Sequence, residues 1–295
     1  MSSTTVESTP SPRDAGSRTR RPGSGTSAGP GPTFLRVLNS EFIKFRTLLS
    51  TLILLGSTVI VMVGFGALSA WGTGQFSQAA TRDPQAAARL AAQGGDLAVG
   101  VPTSGIAFAQ LILGSLGVLL MSSEFTTGMA RSTFAAVPKR LPAFAAKLVV
   151  VVTSFVVTAA STLAAGFLAT PILGNYGLNL DLGSSQSVKM LIVNSIYVAA
   201  VAAIGLALGT LIRNSAGGIM SLVGLFFVAP IAFQLIPGDF FVEARKYLPG
   251  DTVAPLTALD HVPATLEAWQ AGLVLGAWVV VPVLLAAFLL KRRDV

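Results

Sequence analysis

Residues Leu48–Ala70 read LLSTLILLGSTVIVMVGFGALSA, 23 positions without one Asp, Glu, Lys, Arg or His. About 20 apolar residues suffice for a helix to cross a ~30 Å hydrocarbon core. The stretch holds twelve Leu, Ile, Val or Phe residues. At roughly 0.4 kcal/mol each they favour insertion by about 5 kcal/mol, whereas one central charge would cost about 3. Five further stretches share this character: Thr103–Ser122, Leu148–Thr170, Met190–Ile212, Ala216–Ile236 and Trp269–Leu290. The expected fold is an all-α membrane protein of six transmembrane helices, with Pro230 and Pro282 kinking the fifth and sixth.

The whole chain agrees with this reading. Over 295 residues, 52% are hydrophobic and 11% charged, with a mean hydropathy of +0.71. Soluble chains are about 25% charged, so too few polar side chains exist here to cover a water-facing surface. Cysteine is absent and His261 is the single histidine, which excludes disulfides, thiolate metal sites, cysteine nucleophiles and two-histidine zinc sites. The net charge of +7 would suggest nucleic acid only if the basic residues shared a soluble face. They follow topology instead. With six spans both termini share a side, and that side, with the Glu124–Lys147 loop and the Arg213-Asn214-Ser215 turn, holds 15 of the 20 Lys and Arg. The other side holds five of them and eight of the thirteen acids. The positive-inside rule places both termini in the cytoplasm of a multi-pass cell-membrane protein, and nucleic acid is not expected as a partner.

Outside the spans, residues 1–32 are rich in Ser, Thr, Pro, Gly and Arg and read as a disordered basic tail. Arg20-Arg21 is followed by Pro22-Gly23-Ser24-Gly25 rather than by the apolar core that a twin-arginine signal needs. Residues 33–47 form the next unit. In a helix, Phe34, Leu35, Leu38, Phe42 and Phe45 share an arc, with Arg36, Asn39, Ser40 and Arg46 roughly opposite, as expected of an interfacial helix before the membrane domain of residues 48–295. Glu41 sits at the edge of that arc, paired with Lys44 one turn on or with a protein partner.

The connecting loops carry further signals. Asp83-Pro84 reads as a helix cap, with Gly94-Gly95 closing the short helix. Phe240, Phe241, Tyr247 and Leu248, divided by Pro237, Gly238, Pro249, Gly250 and Pro255, read as short interfacial or partly re-entrant helices. Gly205-x-x-x-Gly209 and Gly272-x-x-x-Gly276 allow close helix approach. In the second-span loop, residues from Thr127 to Ala136 read as a short amphipathic helix stopped by Pro138. Lys139 and Arg140 follow, and Pro142 opens an extension of the third span. Such a helix docks into a protein groove or lies on headgroups.

Absences shape the chemistry. None of the six lysines stands in a Gly-Lys-Ser or Gly-Lys-Thr phosphate-binding loop, so nucleotide hydrolysis by that route is not expected of this chain. The spans carry no ionisable group for proton or cation coupling. Gln110, Asn194 and Gln234 remain as uncharged candidates for lining a path or coordinating sodium, or as plain interhelical hydrogen-bonding groups. No catalytic, cofactor-binding or metal-ligating set is expected.

The order of elements resembles a known family. A segment with Ser40-Glu41-Phe42-Ile43-Lys44-Phe45-Arg46 precedes a span, an outside loop and a second span ending in Glu124-Phe125-Thr126-Thr127-Gly128. Arg131-Ser132-Thr133, the basic Pro138-Lys139-Arg140 and a closing Lys291-Arg292-Arg293-Asp294 complete it. From Phe34 to Val295 this resembles the permease subunits of type-2 ABC transporters, the six-span bacterial export type. Phe42 stands where the family's Glu-Trp-Ile-Lys-like segment has its aromatic, and Glu124-Phe125-Thr126 where it often has Glu-Tyr-Arg. The resemblance implies an elbow helix at residues 33–47, a coupling helix after the second span and a second permease chain, homo- or heteromeric. It also implies a separate cytoplasmic ATPase subunit, which would bind the ATP. It assigns coupling to Glu124, Thr127, Gly128, Arg131, Lys139 and Arg140, supported by Glu41 and Lys44, and export of a hydrophobic or amphipathic substrate. The readings that compete are a stand-alone channel, uniporter or sodium-coupled carrier, and a non-transporting membrane scaffold or immunity protein.

Overall fold

The structure, a computed structural model, describes residues 33–85, 87–88, 97–128, 140–259 and 265–292. The expected tail at residues 1–32, Arg131, Lys139, Gly94-Gly95, His261 and Arg293-Asp294 lie outside the described residues. Within them the chain is all-helical, and six helices are long and apolar enough to cross a membrane. This is a multi-pass membrane protein.

Helix α1 (Phe34–Thr47) ends where Leu48 adopts extended backbone (φ −71°, ψ 120°), and α2 (Leu49–Ala80) starts beyond it. The first span was expected to end at Ala70, yet its helix runs to Ala80. At 1.5 Å per residue its 32 residues reach about 48 Å, well past a ~30 Å core. The polar, glycine-bearing extension stays helical because it packs. Ala70 and Gly74 are buried, a Cβ on Gly74 would overlap the Tyr176 ring, and Gln75 Nε2 donates to Tyr176 Oη at 3.3 Å.

The second span is α3 (Ile106–Thr126), preceded by a 3-10 turn at Val101–Thr103. After Gly128 the described chain resumes with α4 (Arg140–Lys147), which has Pro142 in its first turn, and the third span α5 (Val149–Gly174) follows. The fourth span, α6 (Ser185–Ile212), starts under a Ser184 side-chain cap and ends at Arg213, whose φ of 57° turns the chain back sharply. Asn214 then caps α7 (Ser215–Val223) by accepting from the Gly217 N–H at 2.9 Å.

The fifth span passes from α7 through a π turn at Gly224–Val228 into α8 (Ala229–Leu235). Pro230 cannot donate to the ladder. Just before it the helix opens into one wide π turn, in which the Ala229 N–H reaches back to Gly224 O. Short helices follow, as expected of this loop: α9 (Asp239–Arg245), a 3-10 turn at Gly250–Thr252, and α10 (Val253–Thr257). The sixth span is α11 (Ala268–Arg292). Its Trp278 indole donates to Tyr247 O at 2.8 Å and ties the loop down.

Helix α6 is the hub. It packs against α3, α5, α7, α10 and α11, and nearly every residue from Asn194 to Gly209 is buried, as expected of a helix apolar all round. Its seam with α3 is nearly backbone on backbone. A Cβ on Gly205 would overlap Gly114 O, one on Gly209 would overlap Val118 O, and one on Gly117 would overlap Ala202 O. Gly205-x-x-x-Gly209 is thus spent inside the chain. Gly276, by contrast, has nothing within 4 Å of its Cβ direction. Replacing Gly205 by Ala should therefore destabilise the detergent-solubilised protein by about 1–3 kcal/mol through overpacking, while Gly276→Ala should be neutral or slightly stabilising. Paired thermal melts compare the two, and equal behaviour would refute the assignment of this seam.

Candidate functional site

Helix α1 does not lie on the bundle as its apolar arc suggests. Val37, Glu41 and Phe45, one turn apart, are its buried residues, whereas Phe34, Leu35 and Phe42 of the expected arc are exposed. The arc is split: one flank faces outward, and the other turns onto the protein with Glu41 at its centre. Val37 joins Met121, Phe144, Leu206 and Leu290 in an apolar cluster that closes this end of the bundle.

Glu41 is buried because three other charges meet it there. Lys147, the last residue of α4, places Nζ 2.7 Å from Glu41 Oε2 and 2.7 Å from Glu124 Oε1, in the final turn of α3. Lys44 Nζ lies 3.0 Å from Glu41 Oε1 and 3.4 Å from Glu124 Oε1. Side-chain exposure is 4% for Lys147, 6% for Glu41, 7% for Glu124 and 38% for Lys44, so three of the four charges are removed from solvent. Each lysine bridges both carboxylates, and the four formal charges cancel. Segments 106 and 23 residues apart in sequence are pinned at one point.

The electrostatics follow from the same geometry. Burial pushes the Glu41 carboxyl up, but Lys147 and then Lys44 outweigh it and hold the group below the ordinary value of 4.5. Burial pushes Lys44 down, but hydrogen bonding and charge from Glu41, with Glu124 behind, carry it above the ordinary 10.5. Desolvating each of the three buried ions costs several kcal/mol, repaid here chiefly by the two contacts of Lys147.

Of the residues expected to act, Glu41, Lys44 and Glu124 are brought together. Thr127 and Gly128 stand at the C-terminal end of α3, and the rest of the helix expected from Thr127 to Ala136 lies outside the described residues. Thr127 Oγ1 donates to Ser123 O at 2.7 Å, and Gly128 takes the left-handed φ of 73° that stops a helix. Arg140 opens α4. Gln110, Asn194 and Gln234 each have separate surroundings. The Tyr197 hydroxyl donates to Gln110 Oε1 on the buried face of α3, Asn194 Nδ2 donates to Met190 O of its own helix at 2.8 Å, and Gln234 is exposed on α8.

Lys147 is the residue that sequence reasoning passed over as one more basic loop residue. The available signal was its setting: a single charge in Ala143-Phe144-Ala145-Ala146-Lys147-Leu148-Val149, where a buried helix face leaves it no solvent.

Removing Lys147 should be severe. Lys147→Met leaves two carboxylates buried with one partly exposed lysine, and the expected cost is about 3–5 kcal/mol. The triple change Glu41→Gln, Glu124→Gln, Lys147→Met should recover most of that loss, while Lys44→Met should cost under about 1 kcal/mol, being partly solvated. Thermal unfolding in detergent measures all three; a silent Lys147→Met would refute the pin.

The pH profile follows from the signs. With its folded value lowered, Glu41 contributes stability that is complete above 4.5 and lost as pH falls through the lowered value. With its folded value raised, Lys44 contributes stability that is complete below 10.5 and lost as pH rises through the raised value. Melting temperature against pH should flatten at the acid end in Glu41→Gln; if that variant keeps the wild-type acid limb, another group is responsible.

Compared with known families and with curated proteins, the chain matches no family model and no curated sequence.

Proposed function

We propose that this chain is the membrane-spanning permease subunit of an ATP-driven exporter, working with a second permease chain and a separate ATP-hydrolysing subunit on the cytoplasmic side. The observation that carries the reading is Lys147 Nζ bridging Glu41 and Glu124 at 2.7 Å each. Through it, α1 is fastened to the end of the second span and the start of the third. The segment between those two ends, residues 129–139, is the one that the family resemblance makes the coupling helix. A push on that segment or on α1 would reach both spans through one rigid knot.

In this reading the knot, both termini and the segment 129–139 face the cytoplasm, as the positive-inside rule favours, where a nucleotide-hydrolysing partner would be found. In this reading α1 is the elbow helix. Glu41, Lys44, Glu124 and Lys147 are positioning residues, which transmit movement and do not touch a substrate. Glycine-close packing of α3 on α6 supports the same division of labour: displacement of Glu124 at the end of α3 would carry the hub with it. The exported compound would be hydrophobic or amphipathic, in keeping with a span interior poor in charge.

Purification of the tagged chain from its native membrane should recover an ATPase with a phosphate-binding loop. In the reconstituted pair, Glu124→Gln combined with Arg131→Gln should leave hydrolysis running while transport falls by about tenfold or more, the loss expected when about 1.4 kcal/mol of coupling is removed. Recovery of no ATPase, unimpaired transport by that double variant, or nucleotide-independent transport by the purified chain alone would each overturn the proposal.

A further inference from the structure

The loop after the fifth span does not stay at the end of the bundle. The Trp278 indole donates to Tyr247 O at 2.8 Å, and a Cβ on Gly250 would stand 3.5 Å from the Tyr197 hydroxyl. Trp278 is nine residues inside the apolar stretch Trp269–Leu290, and Tyr197 seven inside Met190–Ile212. At 1.5 Å per residue both positions lie roughly 10 to 13 Å from the ends of those stretches remote from the four charges. Their side chains lean only a few ångströms back toward those ends, which are helix N-termini. The turn from Tyr247 to Asp251 is therefore sunk against α6 and α11.

Non-helical backbone at membrane depth is tolerated where it is buried in protein or lines a water-filled space. Charged side chains there obey the same rule. Both conditions meet in a recess of about 240 Å³ between α9, α10 and the residues before α11, lined by Val242, Arg245, Lys246, Asp251, Ala254 and Leu266. Side-chain exposure is 38% for Arg245, 26% for Asp251 and 23% for Lys246, so solvent reaches all three. Several waters fit at ~30 Å³ each.

The basic groups in this recess are only partly engaged. Arg245 Nε donates to Asp251 Oδ1 at 3.2 Å, which fixes the guanidinium. Its two Nη groups have no acceptor among the described residues. Lys246 Nζ spends one of its three donors on Glu243 Oε1 at 2.7 Å, a carboxylate 65% exposed and outside the lining. The lining thus sets two cations against one carboxylate, at an end of the chain where acids outnumber basic residues. A forked guanidinium beside an ammonium matches a phosphate group. The surroundings indicate what carries the phosphate. Val242, Phe240, Tyr247 and Leu259 are 54% to 73% exposed on the same loop, apolar surface that a soluble anion would leave bare and an acyl chain would cover.

We propose that this recess binds the phosphodiester headgroup of an anionic lipid, the Nη groups of Arg245 and Nζ of Lys246 donating to its two non-bridging oxygens. The acyl chains lie over Val242 and the neighbouring apolar residues of the loop. Asp251 is a positioning residue: it orients Arg245, while its own charge opposes that of the phosphate. The site needs neither nucleotide nor an ATPase, so it stands or falls separately from the transport reading.

The full chain, purified in detergent, is titrated with phosphatidylglycerol, phosphatidylcholine and diacylglycerol of identical acyl chains, and bound lipid is counted by native mass spectrometry. Soluble glycerol phosphate serves as a competitor. Lipid held by basic residues at the opposite end is common to all variants, so the reading is the binding step that the variants change. In that step phosphatidylglycerol should bind about tenfold more tightly than diacylglycerol, the discrimination expected of a charge-assisted hydrogen bond. It should also bind more tightly than phosphatidylcholine, whose choline returns a cation to the basic lining. Arg245→Gln should abolish the step, and Lys246→Gln, which releases only exposed Glu243, should weaken it severalfold. Asp251→Asn keeps an acceptor for Arg245 but removes the opposing charge, and should tighten the step severalfold, a gain that misfolding cannot mimic. Equal binding of diacylglycerol or phosphatidylcholine, glycerol phosphate competing as well as the lipid, or phosphatidylglycerol binding unchanged in all three variants would each overturn the proposal.

Discussion

The ammonium group of Lys147 sits between two carboxylates in a place that solvent scarcely reaches, and much of the architecture at this end of the bundle exists to make that arrangement tolerable. An ion taken out of water must recover its hydration from fixed partners. Glu41 and Glu124 come from helices that also meet through apolar side chains, Val37 with Met121 and Phe45 with Leu116, and their pairing with Lys147 adds a charged point that ties α1 to the ends of α3 and α4. The apolar cluster of Val37, Met121, Phe144 and Leu290 then excludes water from the same point. Charge pairing and packing are mutually dependent here: without the cluster the pairs would be solvated and weak, and without the pairs Glu41 could not be buried.

The position of Glu124 depends in turn on the glycine seam deeper in the bundle. Gly114, Gly117 and Val118 on α3 meet Gly205, Ala202 and Gly209 on α6 at backbone distance. Two helices in such contact have little room to slide, since each small residue is a notch for the other's backbone. The seam therefore transmits the register of the hub helix to the end of α3, where the carboxylate stands. A membrane bundle gains little from burying apolar side chains among lipid tails, and close packing of this kind is a main source of its cohesion. The fifth and sixth spans are far less enclosed by the rest of the chain. The helices that pack most extensively on one another are accordingly α3 on α6 and α2 on α5.

Some of this was legible in the residues. The six apolar stretches announced six crossing helices because length and the absence of charge are sufficient criteria in hydrocarbon. Asp83 caps the Gln85 N–H at 2.8 Å, and the turn at Arg213-Asn214-Ser215 and the short helices after the fifth span also follow from local chemistry. The extension of α2 to Ala80 was not legible. Gly72, Gly74 and several polar residues argue against a helix there, and Tyr176, more than a hundred residues away, supplies the packing that overrides them. That Thr127 and Gly128 close the end of α3 was not legible either. The hydroxyl bond to Ser123 O and the left-handed glycine are compatible with either end of a helix until the preceding turn is seen.

What the sequence determined by itself was therefore everything governed by the solvent that a segment must face: the number of spans, their approximate limits and the uneven sharing of basic residues between the two ends. These depend on composition over twenty residues at a time, and no partner is needed to read them. Only the tertiary structure decided which charges meet. An ion pair has a reach of a few ångströms but no preferred sequence separation, so Glu41 could find Lys147 across 106 residues only once the seam of α3 and α6 and the docking of α1 had set their distance.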